Sequence, residues 1–328
     1  MLKACIVGAG AIGGYLGTRL ALTGEADVAA LARGTTLGAL RLHGWRLESD
    51  GQVLSAPAAV AADDARELGV QDLVIITVKA PALPRLAPSL GPLVGPATLI
   101  LPAMNGVPWW FGLNLPALGA QPLASVDPGG AIAAALPAAQ VIGCVVHASA
   151  SQREPGLALH RMGRGLIIGE PDGGESARVR TLASLLTRAG FEVTVSARIR
   201  YDIWYKLWGN MTMNPVSALT GATIDRVLAD DLLREFCSAA MREAAMVGAR
   251  IGCEVRESPD DRHAVTRRLG AFKTSMLQDV EAGRELELDT LVGAVREIGA
   301  RVGVATPAID ALFALTRLFA RVHGLYPP

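Results

Sequence analysis

The sequence predicts an α/β fold joined to an all-α half, with a doubly wound parallel sheet first and helices alone after it. Three observations carry this reading. Short apolar runs alternate with helical stripes through the first hundred residues, the signature of strand–helix–strand units. Turn-bounded runs that read as antiparallel strands follow. Beyond about residue 196 the strand patterns stop and only helical periodicity remains. At 328 residues the chain exceeds one ordinary core and suits two domains, expected at 1–196 and 197–328.

Leu2–Val7 is an apolar run ending at Gly8, the pattern of a strand buried on both faces. Residues 14–22 place Leu16, Leu20 and Ala21 on one helical stripe. Residues 28–32, 73–78 and 98–103 read as further strands, while Pro81, Pro84 and Pro88 mark helix starts and turns between them. Residues 141–147, 157–161 and 166–168 read as short strands, an antiparallel extension of the same sheet. The turn cluster at 170–174 tempts a domain boundary. However, residues 176–188 are helical in period and 191–195 strand-like, so the first domain is carried to Ser196. Residues 199–213, 232–251, 259–277 and 288–302 read as helices, and a last one follows Pro307.

Composition narrows the function. Apolar residues make up 51% and charged residues 19%, enough for a sizeable interior, and the formal net charge is zero. That balance gives no broad attraction to nucleic acid or to an anionic membrane. Cys5, Cys144, Cys237 and Cys253 are scattered with no C-x-x-C pair, which reads as reduced core thiols in a cytoplasmic protein. The five histidines lack metal-ligand spacing, so no metal is expected. No basic segment precedes an apolar stretch, so no secretory leader is expected. The apolar run 129–146 is interrupted by Pro137 and Gln140 and is not expected to span a membrane.

Gly8-Ala9-Gly10-Ala11-Ile12-Gly13 is a G-x-G-x-x-G motif that follows a predicted strand and opens a predicted helix. In a Rossmann-type unit the first glycine permits the tight turn, the second lets backbone approach a pyrophosphate, and the third packs helix on strand. The helix N-terminus then offers N–H groups and a positive dipole end to phosphate. At the end of the second strand, where an NAD site usually carries an acid, stands Arg33. A guanidinium suits a ribose 2′-phosphate, so NADPH is expected over NADH, with a solvated surface arginine as the alternative. Lys79 and Asn105-Gly106 follow two more strands, where ligands bind in such sheets, although either also suits a cap or a turn. Lys206, Asn210 and Asn214 recur at i, i+4 and i+8, so they share a helical face. That face suits a wall of donors toward a carboxylate and a carbonyl; a solvated polar stripe is the plainer alternative.

Gly8–Gly13, Arg33, Thr77-Val78-Lys79-Ala80 and Asn105-Gly106 together resemble the first domain of ketopantoate reductases (2-dehydropantoate 2-reductases). The segment from Tyr201 through Lys206 and Asn210 to Asn214-Pro215 is similar to the family's lysine helix. Thr274-Ser275-Met276-Leu277, Gly283-Arg284, Glu287-Leu288-Asp289 and Gly303-Val304-Ala305-Thr306-Pro307 match its later signatures, so the resemblance spans nearly the whole chain. It implies NADPH-dependent reduction of ketopantoate or a similar branched 2-oxo acid, a step of pantothenate biosynthesis, by a cytoplasmic homodimer. It further implies Lys206 as general acid and Glu287 at the substrate hydroxyl, the lysine or the nicotinamide. Ser275 would bind the substrate carboxylate, with Asn105, Asn210 and Asn214 as substrate contacts, and Lys79 and Asn105 as coenzyme contacts.

Ile224, Phe272 and Val292 stand where family members often carry asparagines, and Trp109-Trp110 follow the Asn-Gly turn. These departures point to a more apolar pocket and leave the 2-oxo acid open. Two alternatives stay in view. A 6-phosphogluconate- or hydroxyacid-type dehydrogenase would want a basic cluster for a phosphorylated substrate, and none is identified. A non-catalytic NADP-binding module would need neither Lys206 nor Glu287.

Overall fold

The structure is a computed structural model and describes residues 1–327. The chain forms two compact units, Met1–Met104 with Gly130–Asp202, and Asn105–Gly129 with the chain from Ile203 onward. This division by contacts differs from the contiguous one expected at 196. The 105–129 segment leaves the sheet-bearing unit for the helical one, because its apolar residues Trp109, Trp110 and Phe111 are buried there and Phe111 stacks on Trp204.

In the first unit, β1 (Leu2–Val7), α1 (Ala11–Leu22), β2 (Ala26–Leu31), α2 (Gly34–His43), β3 (Trp45–Ser49), β4 (Gln52–Ala56), β5 (Ala61–Ala62), β6 (Gln71–Ile76), α3 (Leu83–Leu86) and β7 (Val94–Pro102) follow in order. After residue 130 come α4 (Ala131–Ala135), β8 (Gly143–Glu154), β9 (Leu157–Gly169), α5 (Ala177–Arg188) and β10 (Glu192–Val195). One sheet runs β5-β2-β1-β6-β7, parallel throughout. Strand order reverses at β1, so the carboxyl ends of β1, β2 and β6 form the switch point where ligands bind in this architecture. Register fixes this edge, since Val7 pairs with both Leu31 and Ile76.

The antiparallel pair β8–β9 belongs to a second, mixed sheet ordered β10-β9-β3-β4. Its β3–β4 hairpin lies in a stretch the sequence reading leaves unassigned, yet it is signalled by Asp50-Gly51 between alternating runs. Both turn residues have positive φ, as a two-residue hairpin loop of this hand requires. Helix α1 lies between the sheets. A Cβ at Gly13 would collide with the Gly8 carbonyl and with Ile6 of β1, whereas at Gly14 and Gly17 it would meet Ala158 of β9 and the Trp45 ring of β3. Small residues on two faces thus let one helix serve one continuous core.

The second unit holds no strand among the described residues. Helix α6 (Ile199–Thr220), whose first turn ends the sheet-bearing unit, is followed by α7 (Ile224–Ala229), α8 (Asp231–Arg250), α9 (Pro259–Arg267), α10 (Ser275–Glu281), α11 (Ala294–Arg301) and α12 (Pro307–Val322). The single helix expected over 259–277 is two. Gly270 takes positive φ after α9, and Thr274 caps α10 by accepting from the Leu277 N–H. The helix expected from 288 begins with a π-helical turn, Asp289–Gly293, before continuing as α11. Among the described residues, no helix is long and apolar enough to cross a membrane.

Candidate active site

The glycine turn of the first unit is tight and leaves a helix N-terminus open. Gly8 sits at φ +93, where a Cβ would also strike Val78 at 2.6 Å. Thr77 Oγ1 donates to the carbonyls of Gly8 (2.6 Å) and Val7 (3.1 Å), tying β6 to the turn. Gly10 caps α1 with no side-chain hydrogen bond, the first turn carries no acid, and a Cβ on Gly10 would meet no atom within 4 Å. The helix end is therefore open, uncapped and free of negative charge, which fits a bound phosphate pair. Ala9 is buried, and Ala11 and Ile12 begin the helix.

Arg33 follows β2 by two residues and is exposed at the start of α2, in extended backbone. Lys79, also exposed, follows β6 by three. The strand register brings both chain exits to the edge that holds Gly8.

In the second unit α6 presents Lys206, Asn210 and Asn214 on one face, with Trp204, Leu207, Trp208 and Met211 buried on the others. Lys206 Nζ donates to Asn105 Oδ1 at 3.0 Å. The sequence reading sets Asn105 at a strand end, and the structure assigns it to the lysine's own unit. Its neighbour Gly106, at φ +80, has no room for a Cβ, which would lie 2.7 Å from Thr290. The Val107 N–H donates to the Thr290 carbonyl at 2.9 Å. Thr290 is in the π turn, three residues beyond Glu287, whose side chain is buried. One short turn thus joins the lysine helix to the helical run that begins directly after Glu287.

Asn214 is 5% exposed, and its Nδ2 finds no acceptor among the described residues. A buried amide donor left open costs stability unless a bound group satisfies it. Pro215 interrupts the α6 hydrogen-bond ladder directly after it. Ser275 is the first residue of α10, partly exposed beside its cap Thr274. Beyond Glu287 the π turn is braced from the chain terminus. Tyr326 donates to Asp289 at 2.7 Å, and burial pushes the Asp289 carboxyl above the usual range.

Comparison with known proteins decides the class. Residues 4–173 match the family model described as ketopantoate reductase PanE/ApbA, and residues 198–320 match that of its C-terminal part. The chain belongs to the ketopantoate reductase family. It is 43% identical over 327 residues to a 2-dehydropantoate 2-reductase of Mesorhizobium japonicum, covering 99% of this chain and 100% of that one. A crystal structure from Ralstonia solanacearum MolK2, described as a candidate ketopantoate reductase, superposes with TM-score 0.95 at 55% identity over 99% of both chains. The 2-dehydropantoate 2-reductase of Methylococcus capsulatus does so at 0.83 with 27% identity over 98% of both. This member is therefore an oxidoreductase with the fold of its family.

Of the departures from the family's pattern, Ile224 and Val292 are core residues, and Phe272 packs against the small cluster around Ile224. Trp109 and Trp110 are likewise interior to the second unit. Thr77 and Thr290 hold the two turns, and sequence reasoning gave neither of them a role. A threonine after a strand and a threonine in a helix carry no signal until their partners are known.

Proposed function

We propose that this reductase uses NADPH to convert ketopantoate, or a similar branched 2-oxo acid, to the 2-hydroxy acid, with Lys206 as the proton donor. The observation that carries the reading is the Lys206–Asn105 hydrogen bond on a helix face that also bears Asn210 and Asn214. An amide oxygen only accepts, so Asn105 orients the ammonium without competing for its proton.

The coenzyme would be held by the Gly8–Gly13 turn through backbone N–H groups, with Arg33 on the 2′-phosphate and Lys79 at the neighbouring strand end. When bound, it supplies a hydride to the carbonyl carbon. Lys206 gives a proton to the carbonyl oxygen as charge grows there, and its own charge stabilises the alkoxide; a positioned acid contributes ~10²–10⁴ in rate. The lysine then recovers a proton from solvent. Asn210 and the open Nδ2 of Asn214 offer donors to the substrate, Ser275 a hydroxyl to its carboxylate. Glu287 takes the hydroxyl end. The homodimer and cytoplasmic setting implied by the family resemblance belong to the same reading.

The test is to follow NADPH oxidation with a panel of 2-oxo acids that includes ketopantoate. Turnover is expected with ketopantoate or a branched relative. A panel without turnover overturns the reading.

A further inference from the structure

Residues 105–129 carry Asn105 at one end and, apart from short 3-10 turns, no regular structure of their own. Their course is imposed from outside. At the near end Val107 is bonded to Thr290. At the far end Glu297 accepts from the Ala124 N–H (2.9 Å), the Ser125 N–H (2.8 Å) and Ser125 Oγ (2.6 Å). Arg301 donates to Glu297 (2.6 Å) and to the carbonyls of Leu118 (3.2 Å), Gln121 (2.7 Å) and Pro122 (2.5 Å). Both side chains are largely buried, at 20% and 23% exposure. Every one of these anchors comes from a single helical run. Thr290 lies in its π turn, and Glu297 and Arg301 follow in α11 at i and i+4, on one face.

We infer that Glu297 is a positioning residue: with Ser125 and Arg301 it fixes the 105–129 segment on the helical run that follows Glu287, and so sets Asn105 against Lys206. The charge state suits the task. Burial alone would push the Glu297 carboxyl up, but the donors of Ser125, Ala124 and Arg301 together hold it below the usual range, so it stays an acceptor. Cutting the far anchor leaves the segment held by its buried aromatic residues and the Val107–Thr290 bond, and the loosening is expected to reach the acceptor of the lysine. Displacements of about 1 Å at a reacting group can cost up to ~10²-fold in rate.

The inference rests on the proposed role of Lys206, and a double-mutant cycle separates the two. Turnover of ketopantoate with NADPH is measured for Glu297→Gln, Ser125→Ala and Ser125→Thr, each alone and with Asn105→Ala, beside Lys206→Ala. Glu297→Gln is expected to lower kcat about tenfold, and to add less than about twofold in the Asn105→Ala background, because both act through one contact. Ser125→Ala should follow in the same direction, and Ser125→Thr, which keeps the hydroxyl, should restore it. Losses that multiply independently, or wild-type kcat in Glu297→Gln, overturn the inference while an inactive Lys206→Ala leaves the reaction standing. A fully active Lys206→Ala overturns both. If Glu297→Gln fails to fold, the Ser125 pair decides the question by the same criteria.

Discussion

Lys206 Nζ and Asn105 Oδ1 lie 3.0 Å apart, although 101 residues separate them in the chain. The contact exists because the 105–129 segment joins the helical unit and because Gly106, without a side chain, seats against Thr290. An ammonium held by a carbonyl oxygen is a donor with a defined direction. Lys206→Ala removes both the proton and the charge. We expect kcat to fall by about 10²–10⁴ while the dissociation constant for NADPH, measured by fluorescence titration, stays near normal. Wild-type turnover would remove the assigned acid.

Coenzyme choice hangs on Arg33. It is exposed and follows β2 at the edge that also carries the glycine turn. Charge-assisted hydrogen bonds contribute about 1.5–3 kcal/mol, roughly 10- to 100-fold in affinity. Arg33→Ala should weaken NADPH binding by about that factor and leave NADH binding almost unchanged. Equal losses for the two coenzymes, or tighter NADH binding by the wild type, would deny Arg33 this role.

The parallel sheet was legible because strands buried on both faces write themselves as unbroken apolar runs, as Ala4–Val7 and Leu73–Ile76 do. Lys206, Asn210 and Asn214 were legible because helical spacing alone places them together. Residues 105–129 were not, because they have no period of their own and their shape comes from Glu297 and Arg301, more than 170 residues on. In sequence Glu297 is one more acid on a helix. The π turn at Asp289 has no local signature either, since what braces it is Tyr326 at the far end of the chain.

Acid should loosen the first unit at Glu170. It accepts from Ser176 Oγ (2.5 Å) and from Arg178 Nε (2.7 Å) and Nη2 (2.5 Å), and its side chain is 15% exposed. The hydrogen bonds from Arg178, chiefly, hold the carboxyl below its ordinary value against the opposing effect of burial, and Ser176 adds to them. A depressed value means that the stabilisation is complete above the unfolded value of about 4.3 and is lost as pH falls through the folded one. The melting temperature should therefore decline below about pH 4.3, and Glu170→Gln, already destabilised at neutral pH, should show a shallower decline. An unchanged acid slope in the variant would contradict the assignment.

One substitution made at two helical glycines separates packing from propensity. At Gly38 of α2 a Cβ would meet nothing within 4 Å, and φ is ordinary, so Gly38→Ala should stabilise by about 0.5–1 kcal/mol through the unfolded chain. At Gly17 of α1 the same Cβ would lie 2.6 Å from the Trp45 ring. That ring is 1% exposed, and its indole N–H donates to the Val28 carbonyl at 3.0 Å, so it cannot retreat without breaking a buried hydrogen bond. Overpacking typically costs about 1–3 kcal/mol, more than the gain of about 1 kcal/mol from alanine in a helix. Gly17→Ala should lower the denaturation midpoint while Gly38→Ala raises it. Equal shifts in one direction would mean that Trp45 moves aside, and that α1 is held between its two sheets less tightly than its small residues require.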